Sequence, residues 1–292
     1  MKILILTSGG DAPGMNKFVA QIYKAFKEKT FFAYAGFTGL VNGQIYPLKD
    51  VFCRSCENQA GSIVHSSRCP EFSQDEVFAQ GLENAKEFDC VIIMGGNGSE
   101  KGAKRLYENG VNTIFVPATI DNDVDENFYT IGFSTAVKEC VYTIENSMPS
   151  IESFCQACLF EIMGRECDSI AKKTAQIVNA DYVVNNKKAL DYEKIKNIVL
   201  QNYIKNKSTC IVVRENISPV EKMAKKLNEM LGQDMVKFQV VGRTQRGGKP
   251  TKQELDMAKR FAAETIDCVK SRVFGVRILA DDKNNIVVKE FA

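Results

Sequence analysis

The chain has 292 residues, 45% of them hydrophobic, enough for one large domain or two smaller ones. Its 38 basic and 36 acidic residues leave a net charge of +2, without the basic surplus expected of a nucleic-acid or membrane-surface protein. No apolar run approaches the roughly 18 residues needed to span a bilayer. The apolar residues 1–6 run straight into Thr-Ser-Gly-Gly-Asp, which is short for a secretory signal. A cytoplasmic chain with reduced cysteines is expected.

In chain order, residues 2–6 read as a strand and 18–26 as a helix opening after Gly14. Strands follow at 31–34, 90–94 and 112–116, separated by helices at 74–88 and 100–109. Residues 135–147 read as a helix that Pro149 ends. A second alternating unit has strands at 157–162, 182–184, 209–213 and 236–241, with helices at 169–178, 192–205 and 220–231. The helix at 253–272 places Leu255, Ala258, Phe261, Ala262, Ile266 and Val269 on one face. Residues 275–279 and 286–291 read as a closing hairpin. This rhythm predicts two stacked α/β domains with mostly parallel sheets, helices on both faces and an active-site cleft between them.

Of the ten cysteines, Cys53/Cys56 and Cys155/Cys158 form two CxxC pairs. Their wide separation in the chain favours ordinary packing over a four-thiolate metal site.

The chemistry sits at strand ends. Ser8-Gly9-Gly10-Asp11 joins the first strand to the first helix, and Gly95-Gly96-Asn97-Gly98-Ser99 repeats the design after a later strand. Glycines there let backbone N–H groups approach a phosphate chain at a helix N-terminus. Two such loops at carboxyl ends of parallel strands point to a nucleotide or polyphosphate site at a switch point. Neither matches the Walker or dinucleotide fingerprint. Thr119-Ile120-Asp121-Asn122-Asp123 follows the strand at 112–116. Its two acids at i, i+2 suit a carboxylate that takes a proton beside one that handles a cation. Met163-Gly164-Arg165 and Gly242-Arg243-Thr244-Gln245-Arg246 end second-unit strands, and arginine's fork beside glycine suits phosphate oxygens.

These blocks, with Ser67-Arg68-Cys69-Pro70-Glu71-Phe72 and residues 129–136, resemble the phosphofructokinase family over nearly the whole chain. The resemblance implies a nucleotide-binding domain at 1–133 plus 247–292 and a sugar-phosphate-binding domain at 134–246. It implies ATP on Gly10, Arg68, Cys69, Gly96, Asn97, Gly98 and Ser99, with Mg²⁺ near Asp123 and Asn97. Fructose 6-phosphate falls to Thr119, Ile120, Asp121, Met163, Gly164, Arg165, Glu215, Lys237, Arg243 and Arg246. Asp121 is implied as the base, with Thr119 and Arg165 completing the catalytic group and Arg68 and Arg165 stabilising the moving phosphoryl group. Members using pyrophosphate carry an aspartate at the position of Gly98 and a lysine at that of Ala118, so ATP is the expected donor. A homotetramer with sugar sites shared between subunits is also implied.

The chain departs from the family at several positions. Asn97 replaces an aspartate associated with magnesium, and a neutral amide is a weaker ligand for a hard cation. Gln156 and Lys237 replace arginines that reach a neighbouring subunit's sugar phosphate; Arg243 replaces a histidine, and His65 a glycine. Ala20, Lys24 and Met148 stand where bacterial members carry effector-binding arginines, so their regulation is not carried over. The sequence also stops short of the family's usual terminal helices. Beside an ATP-dependent 6-phosphofructokinase, two readings stay open: a catalytically weak regulatory subunit that binds nucleotide or sugar phosphate, and a related sugar-phosphate kinase.

Overall fold

The computed structural model describes residues 1–291, without the side chain of Phe52; Ala292, the last residue of the expected first-domain segment, lies outside the described residues. The chain divides into two compact units, Met1–Thr135 with Arg246–Ala292, and Ala136–Gln245.

The first unit contains β1 (Ile3–Ser8), α1 (Met15–Phe26), β2 (Thr30–Ala33), α2 (Phe37–Val41), β3 (Ile45–Pro47), α3 (Asp50–Cys56) and β4 (Ser66–Ser67). It continues through α4 (Asp75–Ala85), β5 (Cys90–Gly95), α5 (Asn97–Glu108) and β6 (Thr113–Pro117) to the start of α6 (Phe133–Glu152). The sheet order, completed by two C-terminal strands β11 (Val276–Ala280) and β12 (Ile286–Glu290), is β12-β11-β6-β5-β1-β2-β3, with β4 pairing β1 beyond β2. Strands β1 and β5 are buried at every residue. Parallel strands covered on both faces read as continuous apolar runs, which is why these two are plain in the sequence. Leu4, Leu6, Val91, Ile93 and Phe115 pack one face of the sheet against Phe37, Leu40, Phe72, Phe78, Ala103 and Leu106.

The second unit has β7 (Ala157–Ile162), α7 (Ser169–Ile177), β8 (Tyr182–Val184), α8 (Tyr192–Ile204), β9 (Thr209–Arg214), α9 (Val220–Leu231), β10 (Val236–Val240) and the short α10 (Thr244–Gly247) at its exit. Its sheet runs β10-β7-β9-β8, all parallel. Leu159, Ile211 and Val213 meet Ile195, Val199, Met223 and Leu227 in its core. The chain then returns to the first unit through α11 (Lys252–Ser271) and the β11–β12 hairpin.

Two expectations are corrected. Pro149 does not end α6, which runs on to Glu152. A proline gives up its own N–H bond and crowds the carbonyl four residues back, but its carbonyl still accepts from the Ser153 N–H and hydroxyl, which carries the helix past it. The buried face of α11 is also rotated from the expected one. It comprises Glu254, Met257, Ala258, Phe261, Ala262, Thr265, Cys268 and Val269, with Leu255 and Ile266 at its margins. A glutamate and a threonine lie inside the stripe, so an apolar-only pattern slides off it.

No helix among the described residues is long and apolar enough to cross a membrane. No cluster of three or more His, Cys, Asp or Glu is placed to hold a metal there either. Burial pushes the Cys53 thiol up to about 11 and the Cys158 thiol to about 12, the behaviour of packing cysteines.

Candidate active site

The register of the first sheet brings three loops level. Thr7 pairs with Met94, Met94 with Val116 and Gly95 with Pro117, so β1, β5 and β6 end side by side. The β1–α1 crossover leads to β2 on one side and the β5–α5 crossover to β6 on the other. Strand order therefore reverses between β1 and β5, where the two glycine loops emerge.

Those loops are tied together. Ser99 donates its hydroxyl to the Ser8 carbonyl at 3.3 Å, inside the protein. A side chain on Gly95 would collide with the Ser99 hydroxyl and the Ser8 carbonyl, so only glycine fits the approach. A Cβ on Gly10 would stand 2.5 Å from Nη1 of Arg246, and that same nitrogen donates to the Asp11 carbonyl at 2.9 Å. Around Gly98 there is open space. Helix α5 starts at Asn97 with Gly96 as its N-cap; the Ser99 N–H already donates to the Gly96 carbonyl at 2.9 Å, so Asn97 and Gly98 present the backbone donors at the positive end of this 12-residue helix.

Arg68 and Cys69 leave β4, which is strapped to the first loop. The Gly9 N–H donates to the Ser67 carbonyl at 2.9 Å, and the Ser66 hydroxyl to the Gly9 carbonyl at 3.1 Å. Arg68 is exposed, while Cys69 packs against the core around Phe72.

After β6, the turn 119–123 carries the acids. Asp121 is 2% exposed, and its N–H donates to the Thr119 hydroxyl at 3.2 Å. The Thr130 hydroxyl closes onto the Thr119 carbonyl at 2.6 Å, and the Thr130 N–H onto Oδ1 of Asn122 at 2.8 Å. Asn122 holds a left-handed φ of 52°, a conformation asparagine tolerates. Oδ1 of Asp123 is buried without a hydrogen-bond partner, an orphaned acceptor that fits a hard cation. Asn97 donates its amide to the Asp123 carbonyl at 2.9 Å, clamping the helix start to the acidic turn. An aspartate at 97 has no proton to give and would set oxygen against oxygen. Asn97→Asp should therefore lower Tm in metal-free buffer, the lost bond costing about 1–3 kcal/mol, and added Mg²⁺ should restore it. Thermal unfolding with and without Mg²⁺ reads this; an unchanged metal-free Tm removes the clamp.

The second unit gathers its own group. Ile162 pairs with Arg214, so Met163-Gly164-Arg165 and Glu215 leave β7 and β9 level. Oε1 of Glu215 accepts from the Gly164 N–H at 2.9 Å and the Arg165 N–H at 2.8 Å. The buried Arg214 donates to the carbonyls of Arg165 and, at 2.8 Å, Asn185. Arg243 is exposed just past β10. Lys237 is not brought to this turn: it pairs in register with Cys158 at the other end of the sheet, and its ammonium meets Asp234 at 2.6 Å. Gln156 shares that end, donating to the Asp234 carbonyl at 3.5 Å.

Sequence reasoning gave no role to three buried residues, one of them, Gln245, inside the Gly242–Arg246 turn it singles out. Gln245, fully buried, accepts from the Met163 N–H at 3.1 Å and from the Cys140 thiol at 3.1 Å. Glu254, also fully buried, accepts from the N–H groups of Gly132 and Thr135 and the hydroxyls of Tyr129, Ser134 and Thr135, at 2.8–3.1 Å. Burial pushes its carboxyl up, and the donated bonds pull the other way. Arg277 lies buried in β11. Glu254 also left a sequence signal, the Thr251-x-x-Glu254 capping pattern, in which the Thr251 hydroxyl does accept from the Glu254 N–H at 3.0 Å.

A family model described as Phosphofructokinase matches residues 2–269. The chain belongs to the phosphofructokinase family. Among curated proteins it is 34% identical to an ATP-dependent 6-phosphofructokinase of Streptococcus sanguinis over 283 residues, 95% of this chain and 84% of that one. It is 33% identical to an ATP-dependent 6-phosphofructokinase of Mesomycoplasma hyopneumoniae over 95% of this chain and 88% of that one. Among solved structures, phosphofructokinase from Saccharomyces cerevisiae superposes with a TM-score of 0.86 at 26% identity, over 99% of this chain and 44% of that longer one.

Within this phosphofructokinase, the space at Gly98 bears on the donor. Gly98→Asp should leave Tm unchanged, because nothing lies within 4 Å of the new Cβ, while a carboxylate there repels a nucleotide phosphate. The KM for ATP should rise by about fivefold, one charge contact at this exposed position being worth about 1 kcal/mol. Steady-state kinetics with varied ATP checks it, and an unchanged KM moves the nucleotide elsewhere.

Proposed function

We propose that the chain is an ATP-dependent 6-phosphofructokinase, transferring the γ-phosphoryl group of ATP to the 1-hydroxyl of fructose 6-phosphate. The observation that carries this reading is the buried Asp121 carboxylate on a turn clamped to the N-terminus of α5, beside an open Gly98. Asp121 accepts the proton of the 1-hydroxyl as that oxygen bonds to the γ-phosphorus. The β–γ bridging P–O bond breaks, and ADP carries the electron pair away. Thr119 orients the turn through its bond with the Asp121 N–H. Gly10, Gly96, Asn97, Gly98 and Ser99 cradle the phosphates, with Arg68 and Cys69 flanking them.

Asp123, through its orphaned oxygen, and the neutral oxygen of Asn97 would hold magnesium, with most remaining ligands coming from the nucleotide and water. When bound, magnesium neutralises phosphate charge. The first unit is thereby the nucleotide-binding domain and the second the sugar-phosphate-binding domain. Met163, Gly164, Arg165, Glu215, Arg243, Arg246 and Ile120 take the sugar phosphate, and Arg165 stabilises the charge on the moving group.

Lys237 and Gln156 stand at the far end of their sheet from the Met163–Arg165 turn, which supports their serving a second copy in a cytoplasmic homotetramer with shared sugar sites. A second reading is a regulatory subunit that binds nucleotide or sugar phosphate with little turnover. It is favoured by the Lys237 ammonium already paired with Asp234 and by the amide at Asn97.

ADP release from ATP and Mg²⁺ is expected with fructose 6-phosphate as acceptor, and no orthophosphate release is expected when pyrophosphate replaces ATP as donor. Turnover with a different sugar phosphate would move the assignment to a related kinase. No turnover with any acceptor, alongside measurable nucleotide binding, would overturn it in favour of the regulatory subunit.

A further inference from the structure

Arg277 is 3% exposed in β11, level with Phe115 of the neighbouring β6. Its Nη1 donates to Oε1 of Glu100 at 3.0 Å, and its Nη2 to Oε2 of Glu126. Glu100 lies in the first turn of α5, one residue after Ser99. Glu126 follows Asp123 by three residues and holds a left-handed φ of 60°. One planar guanidinium therefore spans the helix start that faces the phosphates and the segment that leaves the acidic turn. Lys289, paired opposite Arg277 in the hairpin, adds a 3.6 Å contact to Glu126. Two further bonds lace that segment to the same strand: the Ala280 N–H donates to Oδ1 of Asn127 at 2.8 Å, and the Phe128 N–H to the Ala280 carbonyl at 3.0 Å.

This arrangement is costly as a stability device. The Nε of Arg277 is buried with no hydrogen-bond partner, and burial pushes the Glu100 carboxyl up against the pull of the arginine. Glu126, open to water, is instead drawn down by its hydrogen bond from Arg277. Apolar residues of similar size would fill the space without stranding a donor. What they could not do is fix two separate backbone segments through one rigid fork.

We propose that Arg277 is a positioning residue for phosphoryl transfer, locking the N-terminus of α5 and the Asp121–Asp123 turn into one geometry through Glu100 and Glu126. This rests on the phosphofructokinase reading of that site. Arg277→Met removes the fork but strands Glu100, so it is paired with Arg277→Met/Glu100→Gln, which also removes the stranded charge.

The double variant should recover most of the Tm lost by the single one. It should still bind ADP with Mg²⁺ about tenfold more weakly by calorimetry and lose roughly 100-fold in kcat/KM for ATP, with the KM for fructose 6-phosphate unchanged. Arg277→Lys, keeping charge but reaching one carboxylate, should fall between. Amide exchange should quicken together in residues 97–103 and 119–127. A double variant with recovered Tm and wild-type ADP affinity would overturn the positioning role alone. A wild-type protein that binds no nucleotide would overturn both this role and the reading of the site.

Discussion

Asp121→Asn should lower kcat by about 10²–10⁴-fold while leaving Tm and ATP affinity unchanged. Asparagine matches aspartate in size and fills the same buried space, so the turn has no steric reason to move. Three bonds that shape it, made by Thr119, Thr130 and Asn122, use the Asp121 backbone or no part of that residue and survive the change. What is lost is the ability to take a proton from the sugar hydroxyl, a transfer whose catalytic contribution is of that size. The groups on α5 and the glycine loops proposed to face the phosphates stay in place, so nucleotide binding has no reason to weaken. Steady-state kinetics beside ATP titration by calorimetry separates the two quantities. A variant with wild-type kcat would remove Asp121 as the base.

Glu254→Ala should cost roughly 3 kcal/mol or more, the largest stability loss expected from a single substitution here. The carboxylate is the shared acceptor for five donors on residues 129–135. Each buried donor left without an acceptor costs about 1–3 kcal/mol, and water entering the vacated space can satisfy some of them but not all. Burial pushes the Tyr129 phenol far up, with Glu254 adding to it, so this hydroxyl stays a donor at every pH of interest.

Glu254→Gln should cost less, because its oxygen still accepts while its NH₂ turns against an N–H. Thermal unfolding should show Tm falling by roughly 6 °C or more for the alanine variant, with glutamine between it and wild type. Equal Tm values for all three would mean that the donors are satisfied some other way. Residues 129–135 follow the acidic turn directly and share Thr130 with it, so activity should fall with this variant as well.

The local parts of this account were legible in the sequence, and the distant ones were not. β7, β8 and α9 have the bounds their patterns predict, and β1, β5 and β9 differ by one or two residues. Apart from the edge strand β8, these are buried parallel strands or a strongly amphipathic helix, whose pattern is set within a single element. α2 and α3 complete fewer than two helical turns, and neither β3 nor β4 has a buried residue, so no apolar pattern marks them. The glycine loops, Asp121 and Asp123 were readable because a strand end and its following turn are contiguous.

Glu254 and Arg277 were not, since their partners lie 122 and 177 residues away in the chain. A lone glutamate on a helix or arginine on a strand reads as solvated until the fold buries it. Asn97 shows the same limit differently. Its change from acid to amide was plain, but its use as a donor to the Asp123 carbonyl required the coordinates.

Product identification tests the central claim most directly. Wild-type protein is incubated with ATP, Mg²⁺ and fructose 6-phosphate and followed by ³¹P NMR. The account predicts that the ATP γ resonance declines as a new phosphomonoester grows on carbon 1 of the sugar, with ADP formed one for one. Loss of the γ-phosphate to inorganic phosphate alone, or no change in ATP, would contradict it.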